Sequence, residues 1–337
     1  VPLSDLDPAA RTFGSPRFGT KHSSQIFADT AIEFLRAEAK HRQAGTAKPF
    51  FGYVAFTAPH DPRDPPVTHR DLYREKRPPL PPNFRPQHGL AFDVGALTVR
   101  DERLAAWPRD PEVVRDQLAE YYALITHLDQ QIARVLATLR ELGMADDTLI
   151  VFAADHGLAV GSHGLLGKQS LYEHSMGCPL VIAGPGVPQG ATMSLTYLLD
   201  LHPTLLAVGG VAPTEDVNGH SLWPLVTGEQ DALRRSLFTL YANNQRAIRG
   251  DRYKLIRFPK IDCTLLFDLE ADPHETSDLF GQPQHAAKVE QLRAEMVRWQ
   301  SATDDDLPWT ADKVLPATVD LTGRSRKPDR WQPEWIV

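Results

Sequence analysis

Three uninterrupted apolar runs restrict this 337-residue chain more than any other feature. Phe50-Phe51-Gly52-Tyr53-Val54-Ala55-Phe56, Thr148 to Ala154, and Pro179 to Ala183 show no polar alternation. That is the pattern of strands buried on both faces of a parallel sheet. Between the first two lies the clearest helix signal of the chain. Asp110 is suited to cap it, and Pro111 to occupy its first position. Val114, Leu118, Tyr121, Ile125, Leu128, Ile132, Val135, Leu139 and Leu142 then recur at four- and three-residue steps, forming one apolar stripe. Residues 24–42 and Leu199 to Val208 also read as helices, the latter despite Pro203. Strand, helix, strand, loop, strand, helix is the order of an α/β domain: a mostly parallel sheet sandwiched by helices.

After about residue 230 the pattern changes. Short segments at 236–241, 246–249, 252–258 and 264–269 predict a small antiparallel sheet, with a helix over 284–300 covering it. The expected organisation is an α/β domain over 1–229, a smaller C-terminal α+β subdomain over 230–302, and a surface-wrapping tail over 303–337. Residues 59–90 carry the pairs Pro65-Pro66, Pro78-Pro79 and Pro81-Pro82. That density predicts an extended surface loop without regular structure.

Charge narrows the partners. The chain has 36 Lys and Arg against 43 Asp and Glu, a net charge of −7, which disfavours a general nucleic-acid binder. A local pocket of cations can still receive an anion. No apolar run approaches the roughly 18 residues of a membrane-spanning helix. The two cysteines, Cys178 and Cys263, allow neither a disulfide framework nor a CxxC zinc pattern. The first residue is Val1 rather than Met, and a processed or truncated chain is expected, with its compartment left open.

Three constellations carry potential chemistry. In Asp155-His156-Gly157 a carboxylate and an imidazole stand side by side past a strand end, where both can reach one metal ion. In Gly161-Ser162-His163-Gly164-Leu165-Leu166-Gly167-Lys168 three glycines bend the backbone and bring His163 and Lys168 toward that end. Lys offers a compact cation to an anionic oxygen. In Thr57-Ala58-Pro59-His60-Asp61-Pro62-Arg63 the prolines restrict the backbone that presents His60. Read alone, each is a turn, a solvated loop lysine or a loop histidine. Read together, His60 and Asp155 both follow apolar runs, and open α/β sheets place ligands at that edge. Asp61, Arg63, His69 and Arg70 of the proline-rich loop are suited to line a pocket for a charged sugar, or the loop merely covers the domain.

With further segments, these residues resemble the type I sulfatase family. The resemblance runs through Lys48-Pro49-Phe50-Phe51, Pro59-His60, Asp155-His156-Gly157 and Gly167-Lys168 with Tyr172-Glu173-His174-Ser175. It continues in Asp200-Leu201-His202-Pro203-Thr204-Leu205-Leu206, Gly219-His220-Ser221-Leu222, Arg249-Gly250-Asp251-Arg252-Tyr253-Lys254 and Leu266-Phe267-Asp268-Leu269-Glu270-Ala271-Asp272-Pro273-His274-Glu275. The order and spacing agree from about residue 25 to 300. The resemblance implies an alkaline phosphatase-like fold and hydrolysis of sulfate esters, with sulfated carbohydrate as the expected substrate class ahead of aryl or choline sulfate. It implies Asp155 and His156 as ligands of a calcium ion, and Lys168 and His60 as contacts to the sulfate oxygens. Asp61, Arg63 and His163 are the expected further substrate contacts. It also suggests a periplasmic or secreted protein.

The family's nucleophile is a formylglycine hydrate made from Cys or Ser in Cys/Ser-x-Pro/Ala-x-Arg. Neither Cys178, in Met-Gly-Cys-Pro, nor Cys263, in Asp-Cys-Thr-Leu, fits that pattern. The nucleophile and the family's early Asp-Asp metal ligands are therefore expected outside these 337 residues. Two other readings fit the same residues: a phosphonate monoester or phosphodiester hydrolase of the superfamily, or an inactive paralogue that binds sulfated glycans. The isolated 337-residue chain, assayed on a nitrophenyl sulfate with calcium, is expected to show no enzymatic turnover. A rate comparable to that of a complete sulfatase would require another nucleophile.

Overall fold

The computed structural model describes residues 21–92, 95–212, 217–325 and 327. The chain falls into two compact units. One holds residues up to Leu80 together with Asp110–Asp147, and the other Pro81–Arg109 together with Thr148–Ser325.

The first unit is helical. α1 (Ser23–Gln43) begins at a capping box: the His22 ring accepts from the Ser24 amide, and Gln25 reaches back to the His22 amide. α2 (Val67–Arg74) occupies part of the proline-rich segment expected to lack regular structure. The reason is spacing. Pro66 is its N-cap and the next proline is Pro78, so the stretch between them has every amide a short helix needs. α3 (Pro111–Glu141) starts as its sequence predicts, with the Asp110 carboxylate accepting from the Glu112 and Val113 amides. α2 docks on α3 through Arg70 to Glu120 (2.9 Å) and the Tyr73 hydroxyl to Thr126 (2.7 Å).

The buried face of α3 is offset from the purely apolar stripe. Gln117, Glu120, His127 and Gln131 are buried beside Val114, Leu118 and Leu124, while Ile125 is exposed. The run 50–56 likewise differs from a doubly buried strand. Phe50 and Phe56 meet Phe34 and Phe27 of α1, whereas Phe51 and Tyr53 are 73% and 83% exposed. A strand is buried on both faces only when covered on both, and among the described residues of this unit nothing covers the second face.

The second unit carries both sheets. β1 (Ile150–Ala153) and β2 (Leu180–Ala183) match two of the apolar runs and pair antiparallel. Between them lie the segment 154–172 and a short helix, α4 (Glu173–Met176). α5 (Leu201–Val208) tolerates Pro203 because it falls in the first turn, where no intrahelical amide bond is lost. After α6 (Trp223–Val226) comes the four-stranded sheet β3 (Leu237–Tyr241), β4 (Gln245–Arg249), β5 (Tyr253–Phe258) and β6 (Cys263–Asp268), an antiparallel meander, then α7 (Ala286–Ala302). This sheet is covered on both faces. Ile248, Leu255 and Leu266 pack with Leu292 and Met296 of α7. Ala247, Ile256 and Phe267 pack on the other face with Leu165, Leu171 and Tyr172. The tail returns to the same core, where Leu321 is buried and the Ala91 amide bonds to the Ala317 carbonyl.

His127 contributes to the pH response of the first unit. It is 1% exposed and meets the His22 and His69 rings edge-on at 4.5 and 5.0 Å. Burial, then the neighbouring His22 and His69, hold its pKa down to about 4. An unfolded histidine titrates near 6.5, so between those values the unfolded chain takes up a proton the folded unit refuses. Stability of this unit is therefore expected to fall as pH drops from about 6.5 to 4, by on the order of 3 kcal/mol from this group. Urea unfolding across that range, on wild type and on His127→Leu, checks this: the variant should lose part of the slope.

Candidate functional site

The glycine-rich segment is a buried, folded-back loop. From Ala159 to Gly167 every residue is buried. Ala159 and Gly161 donate to the carbonyls of Gly167 and Leu165 at 2.8 and 2.7 Å, so the chain closes on itself like a hairpin. Gly164 is required at its tip. Its φ is +77°, and a Cβ there would lie 2.4 Å from the Gln87 carbonyl carbon. At Gly157 the requirement is proximity, since a Cβ would meet the His174 carbonyl oxygen at 2.0 Å. The Gly157 amide bonds to Ser175, tying the Asp155-His156 turn to α4.

Asp101 and Glu102 hold the end of this loop, and sequence reasoning missed both. The buried Glu102 carboxylate accepts the amides of Leu166 (2.9 Å) and Gly167 (2.7 Å). Arg109 donates to the same carboxylate at 2.6 Å, to the Ala105 carbonyl at 2.7 Å and to the Gly164 carbonyl at 3.2 Å, with its guanidinium 4.0 Å over the Trp107 ring. Burial raises the Glu102 pKa against the pull of Arg109 and of the two amides. Next to it, Asp101 takes the Lys168 ammonium at 3.2 Å and the Gln169 amide at 3.0 Å. The only sequence signal was a charged pair, Asp101-Glu102, in a stretch without periodicity.

The expected metal ligands sit at the end of β1. Asp155 is largely exposed and accepts from the His156 amide at 3.0 Å. The His156 ring turns one nitrogen to the Gly157 carbonyl at 2.9 Å and the other toward Asp155 at 3.4 Å. A carboxylate with open lone pairs suits a hard cation. Two adjacent donors fill part of the six- to eight-ligand shell that calcium takes.

The expected substrate contacts divide by exposure. His163, at φ +54° and 4% exposed, stacks on Tyr172 with centroids 4.0 Å apart and bonds to Asn83 at 3.1 Å. Burial, then the neighbouring His88, Arg85 and Lys254, lowers its pKa to about 3, so it is neutral at ordinary pH. In the first unit, Arg63 is fully buried, bonded to Gln117 and lying over Tyr121. Asp61 is buried too, whereas His60 is half-exposed with its Nδ1 2.8 Å from the Asp61 carbonyl oxygen.

Several other motif residues are structural. Lys254, 1% exposed, bridges Glu275 (2.8 Å) and Glu173 (3.0 Å), fastening α4 to the four-stranded sheet. Asp200 is gripped by both arms of Arg234 and by the amides of Tyr197 and His220. Cys178 and Cys263 are both free.

The Sulfatase family model matches residues 5–211, and the model for the C-terminal part of N-sulphoglucosamine sulphohydrolase matches 161–302. A choline-sulfatase of Rhizobium meliloti is 31% identical over 279 residues, covering 77% of this chain and 53% of that protein. The multifunctional alkaline phosphatase superfamily protein PehA of Trinickia caryophylli is 30% identical over 318 residues, with coverage of 84% and 60%. The chain thus spans little more than half the length of these relatives. A solved structure described as a complex with its substrate D-glucosamine-2-N,6-O-disulfate superposes with a TM-score of 0.69 at 22% identity, covering 86% of this chain and 71% of the other. That likeness bears out the alkaline phosphatase-like fold class with its C-terminal antiparallel sheet, although the strand pairs among the described residues are antiparallel where a mostly parallel sheet was expected.

Breaking the buried ion cluster tests its role. Lys254→Met takes from the buried Glu275 its cation and leaves Glu173 with Arg249 alone, and a cost of about 3–5 kcal/mol is expected. A shift in the urea midpoint at constant slope would register it.

Proposed function

Because this chain belongs to the sulfatase family, we propose that the full-length protein hydrolyses sulfate esters of carbohydrates, with Lys168 donating to the sulfate oxygens. The observation that carries this reading is the Gly167-Lys168 segment, whose backbone is fixed by buried bonds while its ammonium rests on a carboxylate, Asp101. A cation built into a rigid loop can be aimed where negative charge grows during sulfuryl transfer, and no reorganisation is needed at that moment.

The other roles follow residue by residue. We assign Asp155 and His156 to a calcium ion, which when bound supplies positive charge against the sulfuryl oxygens. His60 is assigned as a second donor to the ester. The burial of His163 and Arg63 supports positioning in place of direct contact: His163 braces Tyr172 beneath the loop, and Arg63 anchors the His60 turn to α3. Asp61 is retained as a partner of the His60 ring. A sugar substrate is favoured by the match of residues 161–302 to the N-sulphoglucosamine sulphohydrolase model. The likeness to a solved phosphonate monoester hydrolase from Silicibacter pomeroyi, 26% identical with a TM-score of 0.67, supports the second reading, a phosphate- or phosphonate-ester hydrolase, because sulfate and phosphate esters present the same tetrahedral oxygens.

Kinetics on the full-length protein test these assignments. Lys168→Ala and His60→Ala are each expected to lower kcat by about 10²–10³, the usual effect of removing one preorganised donor. Their melting temperatures should stay near wild type. Turnover near wild type in either variant removes that residue from the site. Comparison of a sulfated glucosamine, choline sulfate and a phosphonate monoester should give the highest kcat/KM for the first.

A further inference from the structure

The segment Asp101–Arg109 packs against the loop before Lys168, and its side chains hold three backbone groups within the four residues Gly164–Gly167. Arg109 holds the Gly164 carbonyl, and Glu102 holds the Leu166 and Gly167 amides. Both side chains are buried, at 1% and 2% exposure, and Arg109 is fixed in turn by the Glu102 and Ala105 carbonyls and the Trp107 ring. Two adjacent amides converging on one carboxylate is the arrangement by which a loop binds an anion; here the anion is a side chain, and what it fixes is the direction of the chain entering Lys168. Burying a carboxylate and a guanidinium is costly, and a hydrophobic pair in their place would take these partners from the Leu166 and Gly167 amides and the Gly164 carbonyl. Only a carboxylate can accept both amides and the guanidinium at once.

We propose that Glu102, locked by Arg109, is a positioning residue that sets the orientation of the Gly167-Lys168 backbone and so aims the Lys168 ammonium at the substrate's sulfate. This rests on the assignment of Lys168 above. The expectation is specific to Gln as a replacement. Glu102→Gln keeps the volume, but its amide nitrogen can only donate, and it faces either the loop amides or the Arg109 guanidinium, all donors.

A double-mutant cycle on the full-length protein, assayed on a nitrophenyl sulfate, tests it. Glu102→Gln is expected to lower kcat by about 10–100-fold with little change in KM, the pattern of an interaction expressed in the transition state. In the Lys168→Ala background the same substitution should cost less than about twofold, since residues acting as one unit are not additive. Amide hydrogen exchange should show faster exchange at Leu166 and Gly167 in Glu102→Gln, and unchanged exchange in Lys168→Ala. An unaltered kcat in Glu102→Gln, or the same loss in both backgrounds, overturns the proposal while leaving Lys168 in the site. A wild-type kcat in Lys168→Ala overturns the assignment of Lys168, and the proposal with it. Should Glu102→Gln not fold, Arg109→Lys goes through the same cycle with the same criteria, since it keeps the cation but cannot span Glu102 and Gly164.

Discussion

A buried carboxylate, Glu102, meets a buried guanidinium, Arg109, and the candidate site depends on that meeting. Alone, either charge in a dry interior would cost several kcal/mol. Together they are satisfied by each other and by backbone groups of the loop that ends at Lys168. The loop cannot shift without leaving one of these charges unpaired, and so its conformation is enforced. A lysine on a mobile glycine-rich loop would have to be ordered each time it met an anion. Here the ordering is done when the protein folds.

The same logic extends outward. His163 of the loop stacks on Tyr172, and Tyr172 belongs to the hydrophobic cluster that continues into one face of the four-stranded sheet. Lys254, reaching from β5, bridges Glu173 and Glu275, Arg249 adds a second cation on Glu173, and Glu275 also accepts from the Glu173 amide. The C-terminal sheet thus serves as the platform on which the Asp155–Lys168 segment is assembled. Every histidine in this interior, His88, His163 and His174, is pushed toward its neutral form by burial. They therefore serve as rings and hydrogen-bond partners rather than as cations.

Much of this was legible in the sequence, for reasons that differ by element. The N-terminus of α3 was clear because a capping Asp followed by Pro is a local signal that folding does not overrule. The four strands of the C-terminal sheet were legible because turn residues separate them. The 50–56 run was misleading in detail, since apolarity reports a tendency to be covered and leaves open what covers it. α2 was hidden by the prolines around it, although the gap from Pro66 to Pro78 gave it room. The candidate site was half visible. Asp155, His156 and Lys168 stand next to glycines and strand ends, where chemistry announces itself. Asp101, Glu102 and Arg109 do not, because a tertiary contact to a loop some sixty residues away leaves no local pattern.

Whether Lys168 meets the substrate's sulfate is best seen directly. A crystal structure of the full-length protein with calcium and a sulfated glucosamine should show the Lys168 ammonium within about 3 Å of a sulfate oxygen. Asp155 should lie in the cation's coordination shell, and Glu102 should still hold the Gly167 amide. A sulfate group bound elsewhere, with Lys168 still paired to Asp101, would contradict the account.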